Sequence, residues 1–249
     1  MFSLKPYNRE RARSYAEKWA FSRSPLFENY TGQGGDCTNF ISQCILAGAC
    51  VMNFTRDVGW YYVSPTDRAA AWTGVSFLWR FLTGNQDIGP FGSETEPGGL
   101  TIGDIIQLGT SPDDYYHSLL VTGYGDGTYL VAAHTNDAFD RPLSSYTYNV
   151  ARFLHIEGIR IRTGNDDECY RMLLGGTAIP QNGGLYVPVP RSEENRLNQQ
   201  NQTNSSNQRG QQNQTNQSGM SINQGDADNA DIEWAKKISD EYLSLREYF

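Results

Sequence analysis

Apolar residues in the first third of the chain recur at the three- and four-residue spacing of helices. One pattern follows Asn8, which can cap a helix. A second runs from near Cys37 to about Gly48, and a third from Thr73, another possible cap, to Gly84. Their inward positions are Ala12, Tyr15, Ala16, Trp19 and Ala20 in the first, Phe40, Ile41, Cys44 and Ile45 in the second, and Val75, Leu78, Trp79 and Leu82 in the third. The pattern predicts three helices.

After residue 100 the pattern changes to short runs that are rich in β-branched residues. Three of them, IGDIIQL (102–108), HSLLVTGY (117–124) and TYLVAAHT (128–135), read as strands, and GDG (125–127) joins the last two as a tight hairpin. One or two further strands are expected in 150–162. Helices followed by an antiparallel sheet are typical of an α+β domain with helices on one sheet face. We expect this domain to span residues 1–162.

The remainder of the chain divides into three parts. Residues 163–194 have weak periodicity and read as an extension of uncertain structure. Residues 195–228 are dominated by Asn, Gln and Ser and predict a flexible linker, because they carry too few apolar groups to offset the entropy of ordering. Residues 229–249 regain a helical apolar stripe. We expect an amphipathic tail helix that binds its own domain, a second copy or another protein.

Charge and composition limit the partners. The chain has 249 residues, a formal net charge of -8 and a pI near 4.9. An acidic surface repels nucleic acids and anionic cell walls over most of its area, and we expect neither a nucleic acid nor a membrane as a partner. The N-terminal residues are charged where a secretory signal is apolar, and no run reaches membrane-spanning length. These features predict a cytoplasmic protein, or a secreted one if the N-terminus has been truncated.

The cysteines suggest chemistry at one position. Cys37, Cys44, Cys50 and Cys169 are unevenly spaced without a CxxC pair, which predicts free thiols. Cys37 follows two glycines at the start of a predicted helix, where the helix dipole and unpaired N–H groups favour a thiolate. The alternative is a small buried core residue, as we expect for Cys44.

The histidines make a nucleophile the more attractive interpretation. His117 and His134 begin and end the same predicted hairpin, so His117 and the segment HTND (134–137) should be neighbours. A cysteine, a histidine base and a polar group that orients the imidazole form the arrangement of acyl-transfer catalysis. The alternatives are an edge-strand role for His117 and a strand-end cap for His134. We expect His155 to be structural, and the wide spacing disfavours a zinc site.

Several segments resemble the putative amidase domain proteins of bacteria, relatives of the NlpC/P60 and CHAP groups in the papain-like superfamily. They are YNRERARSYAEKW, GGDCTNFISQCILAGA, GDIIQL, HSLLVTGY and HTND, within residues 6–157. The resemblance implies a papain-like α+β fold, Cys37 as nucleophile and His117 as base. The third residue is His134 by similarity to NlpC/P60 enzymes or Asn136 by similarity to CHAP enzymes. We favour His134, because it lies at the strand end.

The rest of the site is less well defined by sequence. The Cys37 N–H can hold an oxyanion, and candidates for a second donor or a positioning role are Gln33, Asp36 and Asn39. Asp36 would oppose a thiolate unless it caps the helix or turns away. Trp60, Tyr61 and Trp72 form either one wall of a substrate cleft or a buried aromatic cluster. This chemistry needs no metal or cofactor.

These features predict a cysteine amidase or peptidase that cleaves an amide or peptide bond through a thioester. The resemblance implies substrates such as cell-wall peptides, although the acidic chain has no recognisable wall-binding repeat. Two alternatives stay open. One is a non-catalytic scaffold that acts through its tethered tail helix, and the other is a transglutaminase-like acyltransferase, in which an amine replaces water.

Overall fold

An antiparallel sheet with helices packed on it forms the computed structural model of this protein, which describes residues 2–161, 166–181 and 184–186. This arrangement confirms the predicted α+β class. The predicted linker (195–228) and tail helix (229–249) lie outside the described residues.

The predicted helices form, with small changes at their ends. The helices are α1 (Arg9–Trp19), α2 (Cys37–Ala49), α3 (Ala70–Thr73), α4 (Val75–Gly84) and α5 (Asp166–Gly175). The Asn8 side chain accepts a hydrogen bond from the backbone N–H of Arg11, which confirms the predicted cap of α1. Gly74, rather than Thr73, precedes α4, because Thr73 is the last residue of the short α3.

A seven-stranded antiparallel sheet forms the other layer. Its strands are β1 (Ser3–Lys5), β4 (Gly89–Thr95), β5 (Ile105–Ser111), β6 (Asp114–Gly125), β7 (Thr128–Ala133), β8 (Ala138–Pro142) and β9 (Val150–Ile161). The order is β1-β9-β5-β6-β7-β8, and β4 pairs with β9. Two small antiparallel pairs lie outside it: β2 (Tyr62–Ser64) with β3 (Asp67–Arg68), and β10 (Ile179–Gln181) with β11 (Gly184–Tyr186). Gly125 pairs with Thr128, which confirms the predicted hairpin turn.

Both faces of the sheet are apolar. The helix-covered face contributes Ile105, Leu120, Ala132 and Leu154 to the main core, together with α1, α2 and α4. The opposite face carries a smaller cluster that includes Ile106, Leu108, Leu119, Val121, Val131 and Leu143. The alternation of these residues along each strand follows the two-residue period of β-structure. Along each strand, residues with odd numbers and residues with even numbers therefore point to opposite faces of the sheet.

Every residue of α2 is buried, so its polar side chains need internal partners. Gln43 accepts a hydrogen bond from the Tyr15 hydroxyl at 3.0 Å. Ser42 accepts from the indole N–H of Trp60 and donates to the carbonyl of Trp72. These bonds and the surrounding core fix the helix, and with it the position of its first residue, Cys37.

Two of the four cysteines are not free thiols, so that prediction was wrong for them. Cys50 and Cys169 form a disulfide with their Cα atoms 5.8 Å apart, whereas Cys37 and Cys44 are free and buried. The bonded pair is separated by 119 residues in sequence, and the packing of α5 against α2 brings it together. Sequence spacing gives no sign of a contact that depends on this packing.

The main core continues past Arg162, where we expected the domain to end. Cys169, Leu173 and Ile179 are buried in the same apolar cluster as α1 and α2. In the described part of the chain, no helix combines the length and apolar character needed to cross a membrane.

Candidate active site

Cys37 and His117 line the same cavity, of about 370 Å³. Cys37 is the first residue of α2 and His117 lies in β6, opposite Leu108 of β5. The remaining wall comes from Gly34 and Gly35 before α2, from Tyr116 of β6, from the turn after β7, and from Arg141 of β8 with the segment that follows it. The cavity therefore joins the two residues that sequence reasoning had assigned as nucleophile and base.

The two glycines give the chain its bend into α2. Gly34 and Gly35 have φ values of 89° and 108°, in the region that side chains rarely adopt. The next residue, Asp36, donates its backbone N–H to the Thr135 hydroxyl at 3.0 Å, which ties this loop to the turn after β7. Cys37 then starts the helix with 7% of its surface exposed, and its sulfur lies 4.0 Å from the Tyr116 carbonyl oxygen. The loop thus sets the sulfur against the cavity wall.

The resting pair is neutral, in contrast to the thiolate expected at a helix N-terminus. Burial raises the pKa of the Cys37 thiol, although hydrogen bonds from Ser118 and Thr38 lower it. Burial first, and the Arg141 guanidinium second, lower the pKa of His117 to about 4. Desolvation disfavours both charged forms and outweighs the helix dipole here. At neutral pH the cavity therefore holds a thiol and a neutral imidazole.

The imidazole ring of His117 makes few specific contacts with the described residues. Among the described residues, no hydrogen-bond partner of the imidazole is found, and the Tyr146 ring lies at a centroid distance of 6.1 Å. Asn136 lines the same cavity and has a positive φ of 67°. Of the two residues considered for the third position, Asn136 is therefore the one that shares a cavity with His117.

His134, which we favoured for the third position, lies elsewhere. Its Nδ1 is 2.7 Å from a carboxylate oxygen of Asp36, and its Nε2 is 3.0 Å from the Trp19 carbonyl oxygen. Its ring stacks on Phe40 at a centroid distance of 3.7 Å. Both ring nitrogens face oxygen acceptors of the protein interior. His134 is engaged on both sides and does not line the cavity of Cys37 and His117.

The register of the hairpin explains this correction. Leu120 in β6 lies opposite Ala132 in β7. Continuing that register places Ser118 opposite His134, so His117 and His134 have opposite parity and point to opposite faces of the sheet. They are neighbours along the hairpin, as predicted, but their side chains do not meet.

Asp36 does not line the cavity, although its charge, after burial, helps to raise the pKa of the Cys37 thiol, and its carboxylate is covered by positive and hydrogen-bonding groups. Its carboxylate accepts from the Asn39 amide at 2.8 Å and from the backbone N–H of Tyr30, and it lies 3.2 Å from Nε of Arg23. Arg23 in turn donates from both terminal nitrogens to Asp137 at 2.9 Å. The carboxylate makes no side-chain cap bond to α2. Asp36 thus anchors the start of the helix through its neighbours.

The candidates for a second oxyanion donor are not available for that role. Asn39 is buried, and its amide nitrogen donates to Asp36 and to the Glu28 carbonyl. The buried Asp36 carboxylate is an acceptor, and the exposed Gln33 does not line the cavity. The backbone N–H of Cys37 remains the donor with a clear position, because the first N–H groups of a helix have no partner within it.

The aromatic segment forms part of the core, which is the second of the two predicted alternatives. Trp60 and Trp72 are fully buried, with ring centroids 5.1 Å apart, and Tyr61 stacks on Phe54. Trp72 donates its indole N–H to Asn39 at 2.9 Å. Trp60, Tyr61 and Trp72 do not line the cavity of Cys37 and His117. The hydrogen bonds of Trp60 and Trp72 to Ser42 and Asn39 help to hold α2 in position.

His155 is structural, as expected. Its Nδ1 lies 2.8 Å from the buried carboxylate of Asp104, which also pairs with Arg9 and accepts from the backbone N–H of Ile156. This group lies away from the Cys37 cavity.

Sequence reasoning missed several side chains of the cavity, among them Tyr116, Arg141 and Tyr146. The Tyr146 hydroxyl is buried and has no hydrogen-bond partner among the described residues. These residues belong to β6, to β8 and to the segment after it. Their distance from Cys37 in sequence does not predict their position in the cavity. The sheet brings these residues to Cys37 from about a hundred residues further along the chain.

Comparison with known proteins identifies the family of the chain. An uncharacterized protein of Bacillus subtilis strain 168, YhbB, is 33% identical over 82 residues, which cover 32% of this chain and 25% of that protein. The chain thus spans about a quarter of the length of this relative. No solved structure matches the chain at a significant level. The family model described as a putative amidase domain matches residues 6–156, which include Cys37 and His117, and the chain belongs to this family.

Proposed function

We propose that the protein is a papain-like cysteine amidase or peptidase in which Cys37 is the nucleophile and His117 the general base. Membership of an amidase domain family suggests amide hydrolysis. The observation that carries the cysteine mechanism is that the Cys37 thiol, at the start of a buried helix, and the His117 imidazole, which is neutral at neutral pH, line the same cavity. A neutral imidazole can accept the proton of an attacking thiol.

The reaction starts from the neutral pair. His117 takes the thiol proton as the Cys37 sulfur attacks the carbonyl carbon, and the backbone N–H of Cys37 stabilises the oxyanion that forms. His117 then gives this proton to the leaving nitrogen, the C–N bond breaks, and an amine leaves. Water, deprotonated by His117, attacks the thioester, and the carboxylic acid product leaves as the thiol is restored. Each proton taken by His117 is returned within the cycle.

Asn136 is our choice for the residue that orients His117 during this cycle. It lines the same cavity as His117, and the turn that carries it is fixed by the bond from Asp36 to Thr135. An amide side chain can accept from an imidazole N–H without adding charge to the cavity. We assign Asn136 a positioning role, which replaces the role that we first gave to His134.

Two variants test the assignment. A pool of cell-wall peptides and a library of blocked peptides are incubated in ¹⁸O-water, and new labelled carboxylates are measured by mass spectrometry. We expect Cys37→Ala to abolish labelling and His117→Gln to reduce its rate by about 10²- to 10⁴-fold. Cys44→Ala is the matched control, because it removes a buried free thiol outside the cavity. Hydrolysis that persists in Cys37→Ala at the rate of the parent protein would exclude the proposed nucleophile.

A further inference from the structure

The cavity of Cys37 and His117 carries a positive charge in an acidic protein. Among the described residues that line it, Arg141 is the one with a formal charge, since no aspartate or glutamate is present and His117 is neutral near pH 7. The whole chain has a formal net charge of -8. An isolated arginine in such a site differs from the surrounding surface and favours an anionic ligand.

Arg141 is held in place without a carboxylate. Its Nε donates to the Ser145 hydroxyl at 2.8 Å, one terminal nitrogen donates to the Ser145 carbonyl at 3.3 Å, and the guanidinium lies 4.2 Å from the Tyr146 ring centre. Within the described part of the chain it has no ion pair. The carboxylate of the preceding residue, Asp140, pairs with Arg13 instead, at 3.5 Å. The guanidinium is thus oriented by neutral groups, and no carboxylate of the described residues neutralises its charge.

We propose that Arg141 binds a carboxylate of the substrate, so that the protein acts on amides or peptides with an anionic group close to the scissile carbonyl. This inference rests on the proposed function of the same cavity. A guanidinium matches the geometry of a carboxylate and forms charge-assisted hydrogen bonds to it. The buried hydroxyl of Tyr146, a residue that also lines the cavity, lies beside the Arg141 guanidinium and offers its own proton as a second donor.

A bound carboxylate would also raise the pKa of His117. Arg141 contributes to the low pKa of His117, after burial. A negative charge beside the guanidinium offsets this effect, so His117 becomes a stronger base when an anionic substrate is bound. The preference for a carboxylate then extends from binding to the rate of proton transfer.

Two alkylating reagents of similar size and different charge test the proposal. Iodoacetate and iodoacetamide both react with Cys37 by forming an S–C bond and releasing iodide, and the thiol proton is lost. The quantity compared is the rate constant for iodoacetate divided by that for iodoacetamide, normalised to the same ratio for glutathione. In the parent protein we expect this normalised ratio to be about five, because a unit charge a few ångströms away attracts iodoacetate alone. Arg141→Gln should bring the ratio close to one, and Arg141→Lys should retain part of it.

The control is Arg56→Gln, which removes the same charge from a side chain that is 94% exposed. It should leave the ratio unchanged. Salt at about 0.5 M should reduce the ratio in the parent protein, because ions screen the attraction. A ratio that is the same in the parent protein and in Arg141→Gln would overturn the proposal.

A second measurement needs no reaction at the thiol. Succinamate and succinamide, which differ in one carboxylate, are titrated while the ring resonances of His117 are followed by NMR. We expect succinamate to reach half-saturation at about a fivefold lower concentration than succinamide, and we expect Arg141→Gln to remove this difference. Equal half-saturation in the parent protein would overturn the proposal. A Cys37 that resists both alkylating reagents would instead count against the proposed nucleophile, while the titration still decides the role of Arg141.

Discussion

His117 and His134 lie at the two ends of one hairpin, yet their surroundings differ in almost every respect. His134 is 1% exposed and has an acceptor at each ring nitrogen, a carboxylate on one side and a carbonyl on the other. His117 borders a cavity, and after burial the positive charge of Arg141 is the cause that lowers its pKa. A histidine with both nitrogens engaged holds structure together, whereas one with free nitrogens can exchange a proton with a substrate.

His155 extends this comparison. Like His134, it places Nδ1 against a fully buried aspartate that also pairs with an arginine: Asp104 and Arg9 for His155, Asp36 and Arg23 for His134. The chain thus uses an Asp–His–Arg group twice, each time to join segments that are distant in sequence. A His–Asp pair is therefore not by itself a sign of catalysis in this protein, and the unpaired histidine is the better candidate for the base.

The largest expected effect comes from breaking the group around Asp36. Asp36→Ala should lower the free energy of unfolding by about 3–5 kcal/mol, because it leaves the side chains of His134 and Arg23 without their buried carboxylate. Urea denaturation measures this, and Asp113→Ala at an exposed position is the matched control. A loss below about 1 kcal/mol would mean that Asp36 does not anchor the helix start.

A smaller effect is expected from the protonation of His117. Its folded-state pKa of about 4 lies below the ordinary 6.5, so the unfolded chain binds this proton more readily. The contribution is complete above about pH 6.5 and is lost as the pH falls towards about 4. At about pH 5 the loss should reach about 2 kcal/mol relative to about pH 7.5.

The measurement is urea denaturation of the parent protein and of His117→Gln at both pH values. The glutamine variant should lack this part of the acid loss, since its side chain does not titrate. If both proteins lose the same free energy of unfolding between the two pH values, His117 does not have the low pKa on which the comparison rests.

The features that could be predicted from sequence are local. The Asn8 cap, the turn at 125–127 and the start of α2 at Cys37 each depend on a few adjacent residues, and the structure has all three. The presence of Cys37 and His117 at one site was also predicted, and both residues line the same cavity.

The features that were missed depend on register and packing. The face on which His134 lies follows from strand register, and a shift by one residue would reverse it. The Cys50–Cys169 disulfide and the position of Arg141 in the cavity join residues about a hundred positions apart. The burial of Trp60 follows from three-dimensional packing that its aromatic sequence context does not specify. Non-local contacts of this kind leave no periodic pattern in a single sequence.

The most direct test of the central claim is to trap the acyl-enzyme. The parent protein and Cys37→Ala are incubated with the peptide pools and quenched in acid. Tandem mass spectrometry then locates the acyl group on the tryptic peptide of residues 24–56, which contains both free cysteines. We predict an acyl group on Cys37 with none on Cys44, a longer-lived adduct in His117→Gln, and no adduct in Cys37→Ala. Turnover of the same peptides by Cys37→Ala, or an adduct on another residue of the parent protein, would contradict a thioester at Cys37.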